Sequence, residues 1–430
     1  MNKQILRLAI PNIISNLSVP LLSTVDTALM GRQESAAYIG AVGLGAIIFN
    51  FIYWSFGFLR MGTTGLAAQA YGNTDHQELS NILGRAFLVV AAGTALIWAL
   101  QMPIAWASFG LLKGSPEVEA LAREYYGIRI WAAPATIGLY AMMGWFFGMQ
   151  NAIYPMLLTI LINIVNVVAN LYLVNHLGMK ADGVALGTVI AQYAGLFAAL
   201  GLFYYKYRDY IKYFNRKKIL EIEAIKRFLS LNANIFIRTF CLIFVLAFFT
   251  NQSAKQGDVL LAVNMILMQL INWMAYGVDG FAYASESLVG KYAGAKDMTN
   301  LKKAVRYSFA WGMIFALIFS VAYFFGGKHL LWLFTDQENI VTAALPFMAW
   351  MAIIPLISTP SYMWDGIYIG MTASREMRDS MLLAMFIFLV SYFALRFMGN
   401  NGLWLALVIF LAARGLIQWF WWHRRVIVNG

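Results

Sequence analysis

The chain has 430 residues, of which 61% are apolar and only 12% charged, against roughly half and a quarter in soluble domains. So little charge cannot coat a soluble surface, which disfavours a soluble enzyme, a disordered chain and a disulfide scaffold. The net charge of +11 then reads as loop charge that sets membrane topology, with no nucleic-acid partner.

A helix needs about 20 apolar residues to cross a bilayer core. Apolar runs fall at 5–30, 38–70, 84–112, 120–148, 151–175, 183–205, 228–250, 258–290, 306–334, 341–372, 380–397 and 401–422. They are too long and too rich in Leu, Ala, Gly and Phe for barrel strands, so they predict twelve transmembrane helices of an all-α membrane protein. The first run follows Lys3 and Arg7 and carries no small-residue cleavage site, so it reads as an uncleaved span. Alternating the loops between two sides puts 20 Lys and Arg on the side of the N-terminus and 7 on the other. The bias predicts that both termini are cytoplasmic.

The segment 206–227 is the one strongly charged linker. It separates an expected N-lobe, 1–205 with helices 1–6, from a C-lobe, 228–430 with helices 7–12. A shift of 222 supports a duplication: Asn12 meets Asn234, Gly72, Asp75 and Leu79 meet Gly294, Asp297 and Leu301, and Gly144, Gly148 and Met149 meet Gly366, Gly370 and Met371. Six spans separate the copies, so the two six-helix lobes insert the same way up, related by a pseudo-twofold along the membrane normal.

Ionisable groups within spans cost roughly 2.5–3.5 kcal/mol each on the insertion scale, and are functional candidates for that reason. In chain order they are Asp26, Arg60, Arg129, Arg238, Asp279, Glu286, Asp365 and Arg414. Pairing within the bundle is the plain reading for the arginines. Asp26 is the sole acid of the first span, and its counterpart at the 222 shift is Phe248. Burial raises a carboxyl pKa, so Asp26 is the candidate for cyclic proton uptake and release, ahead of a structural pair or a substrate contact. Pro11 removes one backbone hydrogen bond from the same helix, marking either a bending switch or a static kink. Asn163, Asn166 and Asn170 share one face of the fifth span, which either lines a polar cavity or bonds to a neighbouring helix. Tyr125 and Thr188 offer hydroxyls nearby in sequence order. Asp279 and Glu286 share a face of the eighth span, and with Asp365 they form either a second acidic surface or neutralising partners for arginines. Met142, Met143, Trp145 and Phe146 are candidates for an adaptable apolar cleft.

Cys241 is the single cysteine, so no internal disulfide or thiolate metal site is expected, and His76, His176, His329 and His423 are scattered at run ends. No phosphate-cradling glycine loop, paired histidines or clustered aspartates appear. The expectations are no enzyme, no cofactor and no metal.

The stretches LAIPNIISNLSVPLLSTVDTALMGR, FGFLRMGTTGLAAQAYGN, NIVNVVANLYLV, YGVDGFAYASESLVG and WDGIYIGMTASREMRDSMLLA resemble the multidrug and toxic compound extrusion (MATE) transporters, in particular their DinF-like branch. The resemblance implies a two-lobed V of twelve helices and cation-coupled export of small organic, often cationic or lipophilic, compounds across a bacterial inner membrane. It carries the family's span-one acid onto Asp26, its bending proline onto Pro11, and its N-lobe polar pocket onto Tyr125, Asn166 and Thr188. The next pocket position, commonly Asp in relatives, is Asn170 here. Losing that carboxylate favours H⁺ over Na⁺ as the coupling ion. The span-ten acid of some relatives falls on Asp365. A monomer in contact with membrane lipid is the expected assembly. The alternative is a lipid or lipid-linked oligosaccharide flippase of a related two-lobed fold, for which Arg60, Arg129 and Arg238 would line a cleft.

Overall fold

The computed structural model describes residues 1–30, 35, 37–422 and 424, with the backbone alone at 19–28 and 30. No strand occurs among the described residues. The first helix, α1 (Asn2–Met30), is 29 residues long, enough to cross a bilayer. Eleven further helices are long and apolar enough to do so: α2 (Ala37–Gly72), α3 (His76–Ala99), α4 (Pro116–Gly148), α5 (Ile153–Asn175), α6 (Ala181–Tyr213), α7 (Ile222–Ala254), α8 (Asp258–Gly294), α9 (Met298–Trp332), α10 (Glu338–Gly370), α11 (Ser374–Met398) and α12 (Asn400–Trp421). Each matches one predicted apolar run. Outward faces carry large apolar side chains: Phe197 is 66% exposed and Phe325 78%. Such a surface is stable against lipid and not against water. The chain is an all-α membrane protein.

Contacts divide the chain into two units, Ile14–Leu229 and Met1–Ile13 with Ser230–Gly430. In the first, α4 packs on α2, α3 and α6, and α5 packs on α6. In the second, α10 packs on α8, α9 and α12, and α11 packs on α12. The second set repeats the first with every helix number raised by six.

The repeat extends to backbone detail. The described non-glycine residues with positive φ are Thr74 and Lys296, at 55° and 54°, and Gln150 and Thr372, at 60° and 54°; each pair lies 222 apart. Asp75 caps α3 by accepting from the Glu78 amide at 2.8 Å, and Asp297 caps α9 by accepting from the Asn300 amide at 3.0 Å. A cap oxygen satisfies one of the amides that a helix start leaves open. Glycines set the closest helix crossings. A methyl group at Gly144 would sit 2.5 Å from the Arg60 carbonyl oxygen, and one at Gly366 2.3 Å from that of Ala282. Residues 60 and 282 are again 222 apart, so the same crossing between the same helices requires glycine in both halves.

The basic linker is structured. Tyr210 and Tyr213 pack on His76. Ser80 donates to the Tyr210 carbonyl at 2.9 Å, and the Asn215 amide donates to Asn81 Oδ1 at 3.1 Å. Buried Arg85 bridges Glu78 at 2.6 Å and the Lys218 carbonyl at 3.0 Å. Residues 210–219 of the linker therefore lie along α3 within the first unit.

Candidate functional site

Helix α5 begins after Asn151, whose side chain accepts from the Tyr154 amide at 3.2 Å, and stays apolar except along one polar stripe. Asn170 donates to Asn166 Oδ1 at 3.0 Å, Asn166 donates to Thr188 Oγ1 at 3.0 Å, and Thr188 donates to the Val184 carbonyl at 2.8 Å. Asn166 and Asn170 are fully buried. Spacing of four on α5 brings the two amides together, and α6 supplies the hydroxyl. Buried amides in a membrane protein hold their place only when bonded in this way. Gly187 makes room for the chain: a methyl group there would meet Asn170 Oδ1 at 1.9 Å.

The remaining member of the stripe, half-buried Asn163, donates to the Ser18 carbonyl of α1 at 3.2 Å. Ser15 donates to Thr159 Oγ1 at 2.8 Å, and Ser18 donates to the Ser15 carbonyl at 2.7 Å. Residue numbers rise together across the two contacts, so α1 and α5 run parallel. The stripe thus bonds to neighbouring helices at both ends: its far end joins a buried relay with α6, and its near end anchors α1. Ser15, Ser18 and Thr159 were not singled out from sequence, because lone hydroxyls in apolar helices usually bond to their own preceding turn.

Tyr125 is buried on α4, where its ring lies against Gly45, with Phe49 at 6.3 Å between ring centroids. The first half of α4 also packs on α6, the helix that carries Thr188. Pro11 lies within α1, two residues before the point at which that helix passes from one contact unit to the other. The side chain of Asp26 lies outside the described residues.

The span arginines resolve individually. Arg129 donates to the Tyr53 hydroxyl at 3.5 Å and lies 5.4 Å from the Phe49 ring centroid and 5.1 Å from that of Tyr53. Arg60 sits 5.8 Å from the Phe147 ring centroid. Arg238 and Arg414 both pair with Asp365, the second at 2.6 Å, and Gln418 donates to the other carboxylate oxygen at 2.9 Å. All four side chains are buried. Asp365 is therefore closed off as a neutralising partner, and a second acidic surface containing it is not what the fold builds. Glu286 is likewise buried on α8, and Asp279 is half-buried on the same helix. Gln418 escaped notice in the sequence because one amide in an apolar helix gives no pattern. Of the cleft candidates, Met142, Trp145 and Phe146 are fully buried, and Trp145 donates to the Leu79 carbonyl at 3.0 Å. They pack the core of the first unit and line no adaptable surface.

The MatE family profile matches residues 11–172 and again residues 234–393. The two matches start 223 residues apart, close to the repeat distance read from the helix caps. The chain belongs to the MatE family. It is 37% identical to DNA damage-inducible protein F of Escherichia coli (strain K12), over 98% of this chain and 92% of that one. It is 25% identical to the probable multidrug resistance protein NorM of Pseudomonas putida, over 88% and 82% of the two chains. Among solved structures, MATE in the bent conformation superimposes with a TM-score of 0.90 at 17% identity, covering 99% of this chain and 96% of that one. At that identity the superposition establishes the fold, a twelve-helix membrane protein in two halves.

Proposed function

We propose that this MatE protein is a proton-coupled antiporter that exports small organic compounds, often cationic or lipophilic, across a bacterial inner membrane, with both termini cytoplasmic. Its relatives named for multidrug resistance and for toxin extrusion support the class of cargo. The observation that carries the coupling reading is the register between α1 and α5. The Ser15–Thr159 bond pins the two parallel helices, and both rise about 1.5 Å per residue. Eleven residues further, α1 reaches position 26 as α5 reaches Asn170, the end of the buried relay. The α5 helix offers amides at that level and carries no Asp or Glu along its length, so a proton-coupling role for Asp26 would involve no second carboxylate from α5, which favours one proton over a desolvated Na⁺.

In this reading a proton from outside neutralises Asp26. The loss of charge alters how α1 packs beside Asn163, Asn166 and Asn170, and the segment beyond Pro11, which lacks one backbone hydrogen bond, bends. Cargo leaves as the pocket contracts, and the proton is released on the cytoplasmic side. The flippase alternative requires arginines directed at a cleft, whereas Arg238 is ion-paired and Arg129 is enclosed by Tyr53 and Phe49.

The test is transport in proteoliposomes with imposed proton or sodium gradients and a panel of cationic dyes. The wild type should export dye on a proton gradient, and Asp26→Asn should insert normally yet lose the response. Proton-driven export by Asp26→Asn, or export driven only by sodium, would refute the proposal.

A further inference from the structure

The second unit carries a groove of about 680 Å³ at the start of α9, between α9 and α12 and floored by α10. Its volume falls within the roughly 300–1,000 Å³ of small-molecule sites. The walls are apolar and aromatic, including Phe309, Trp364, Trp419 and Trp422, and the lining holds two charges, Lys302 and Arg306. Both cations are exposed, and their spacing of four puts them on one face of α9. Among the described residues no acidic side chain lines the groove.

The repeat gives this groove its meaning. At the 222 shift, Lys302 and Arg306 correspond to Ser80 and Gly84 of α3. In the first unit that patch is covered by the chain itself. Ser80 bonds to the Tyr210 carbonyl, and a methyl group at Gly84 would sit 2.6 Å from Ile219 Cδ1. In the second unit the small positions have become two cations, and tryptophans border a space that the linker fills in the first. The side chains that follow α12 include His423, Arg424 and Arg425 and no acid, so none of them complements the two cations by charge.

We propose that this groove seats an acidic phospholipid, with its phosphate on Lys302 and Arg306 and an acyl chain along Phe309, Trp364 and Trp419. Basic pockets between membrane helices select anionic headgroups, and tryptophan favours the headgroup level of the bilayer. The lipid takes the place in the second half that residues 210–219 take in the first.

Native mass spectrometry of the full chain in detergent, with phosphatidylglycerol and phosphatidylcholine of identical acyl chains, tests this. The wild type should retain phosphatidylglycerol preferentially, and K302Q/R306Q should reduce that preference by roughly 30-fold, the effect of two cations at an anionic surface. K296Q/K303Q removes the same net charge outside the groove and should leave the preference intact. A412F, which keeps both cations and fills the apolar part, should weaken retention of both lipids. Equal retention of the two lipids by the wild type, an undiminished preference in K302Q/R306Q, or an equal loss in K296Q/K303Q overturns the proposal. Stronger lipid retention after deletion of residues 426–430 would make the chain's own end the occupant and overturns it as well.

Discussion

Replacing Asp365 by Asn isolates what the buried ion cluster does. The carboxylate accepts from Arg238, from Arg414 at 2.6 Å and from Gln418 at 2.9 Å, and Arg414 is 1% exposed. Asn preserves shape and, with its oxygen toward Gln418, keeps that contact, but it replaces the oxygen that accepts from both arginines by an NH2 donor and leaves two buried guanidinium groups without an anion in the cluster. Breaking one buried pair by removing a partner costs about 3–5 kcal/mol, and one carboxylate serves two pairs here, so Asp365→Asn should fall at or above the upper end. Arg238→Met is the informative contrast. It leaves the Asp365–Arg414 pair intact and neutral, and should cost about 1–2 kcal/mol, an ordinary core substitution. The assay is denaturant unfolding of detergent-solubilised protein followed by tryptophan fluorescence, with dye transport normalised to folded protein. Transport per folded molecule should stay near wild type in both variants. Wild-type stability of Asp365→Asn with transport abolished would refute the structural reading and make Asp365 a coupling acid. Equal destabilisation by the two variants would refute the charge argument.

Gly366→Ala forces a methyl group to 2.3 Å from the Ala282 carbonyl oxygen, so α10 and α8 must separate; about 1–3 kcal/mol should be lost, seen as a lower melting temperature in detergent. Asn166→Ala removes the middle of the Asn170–Asn166–Thr188 relay. Stability should drop by about 1–2 kcal/mol, and proton-driven export should fall in proteoliposomes, whereas unchanged export would detach the relay from coupling. The Asn300 amide and side chain hold the Asp297 carboxylate below the usual carboxylate range. A depressed folded-state pKa gives stabilisation that is present above the unfolded value, near 4, and lost as pH falls through the folded value. Amide exchange at the start of α9, corrected for intrinsic rates, should therefore be level from pH 8 to 5 and rise in acid, and Asp297→Asn should flatten that profile.

Twelve helices, their order and the duplication were legible in the residues themselves. The hydrocarbon core demands about 20 apolar residues per crossing and tolerates no unpaired backbone, so composition along the chain determines the elements. A shared offset between Gly72, Asp75 and Gly144 and their counterparts suffices to reveal a repeat, because caps and close glycine crossings are local requirements. The amide stripe of α5 was legible as well, since a helix face follows from spacing alone. Its partners were not: sequence could offer a cavity or a neighbouring helix, and only packing joined Asn166 to Thr188 and Asn163 to the Ser18 carbonyl. The same holds for Asp365. Whether a buried carboxylate attracts cations or neutralises arginines depends on which helices approach it, and Arg238, Arg414 and Gln418 come from two different helices far along the chain. The linker looked like a charged connector, yet its backbone bonds to α3 and covers a patch whose counterpart in the other half is uncovered among the described residues. Hydrophobic periodicity sets which residues enter the membrane; the distances between helices, which no local pattern encodes, set which polar groups meet there.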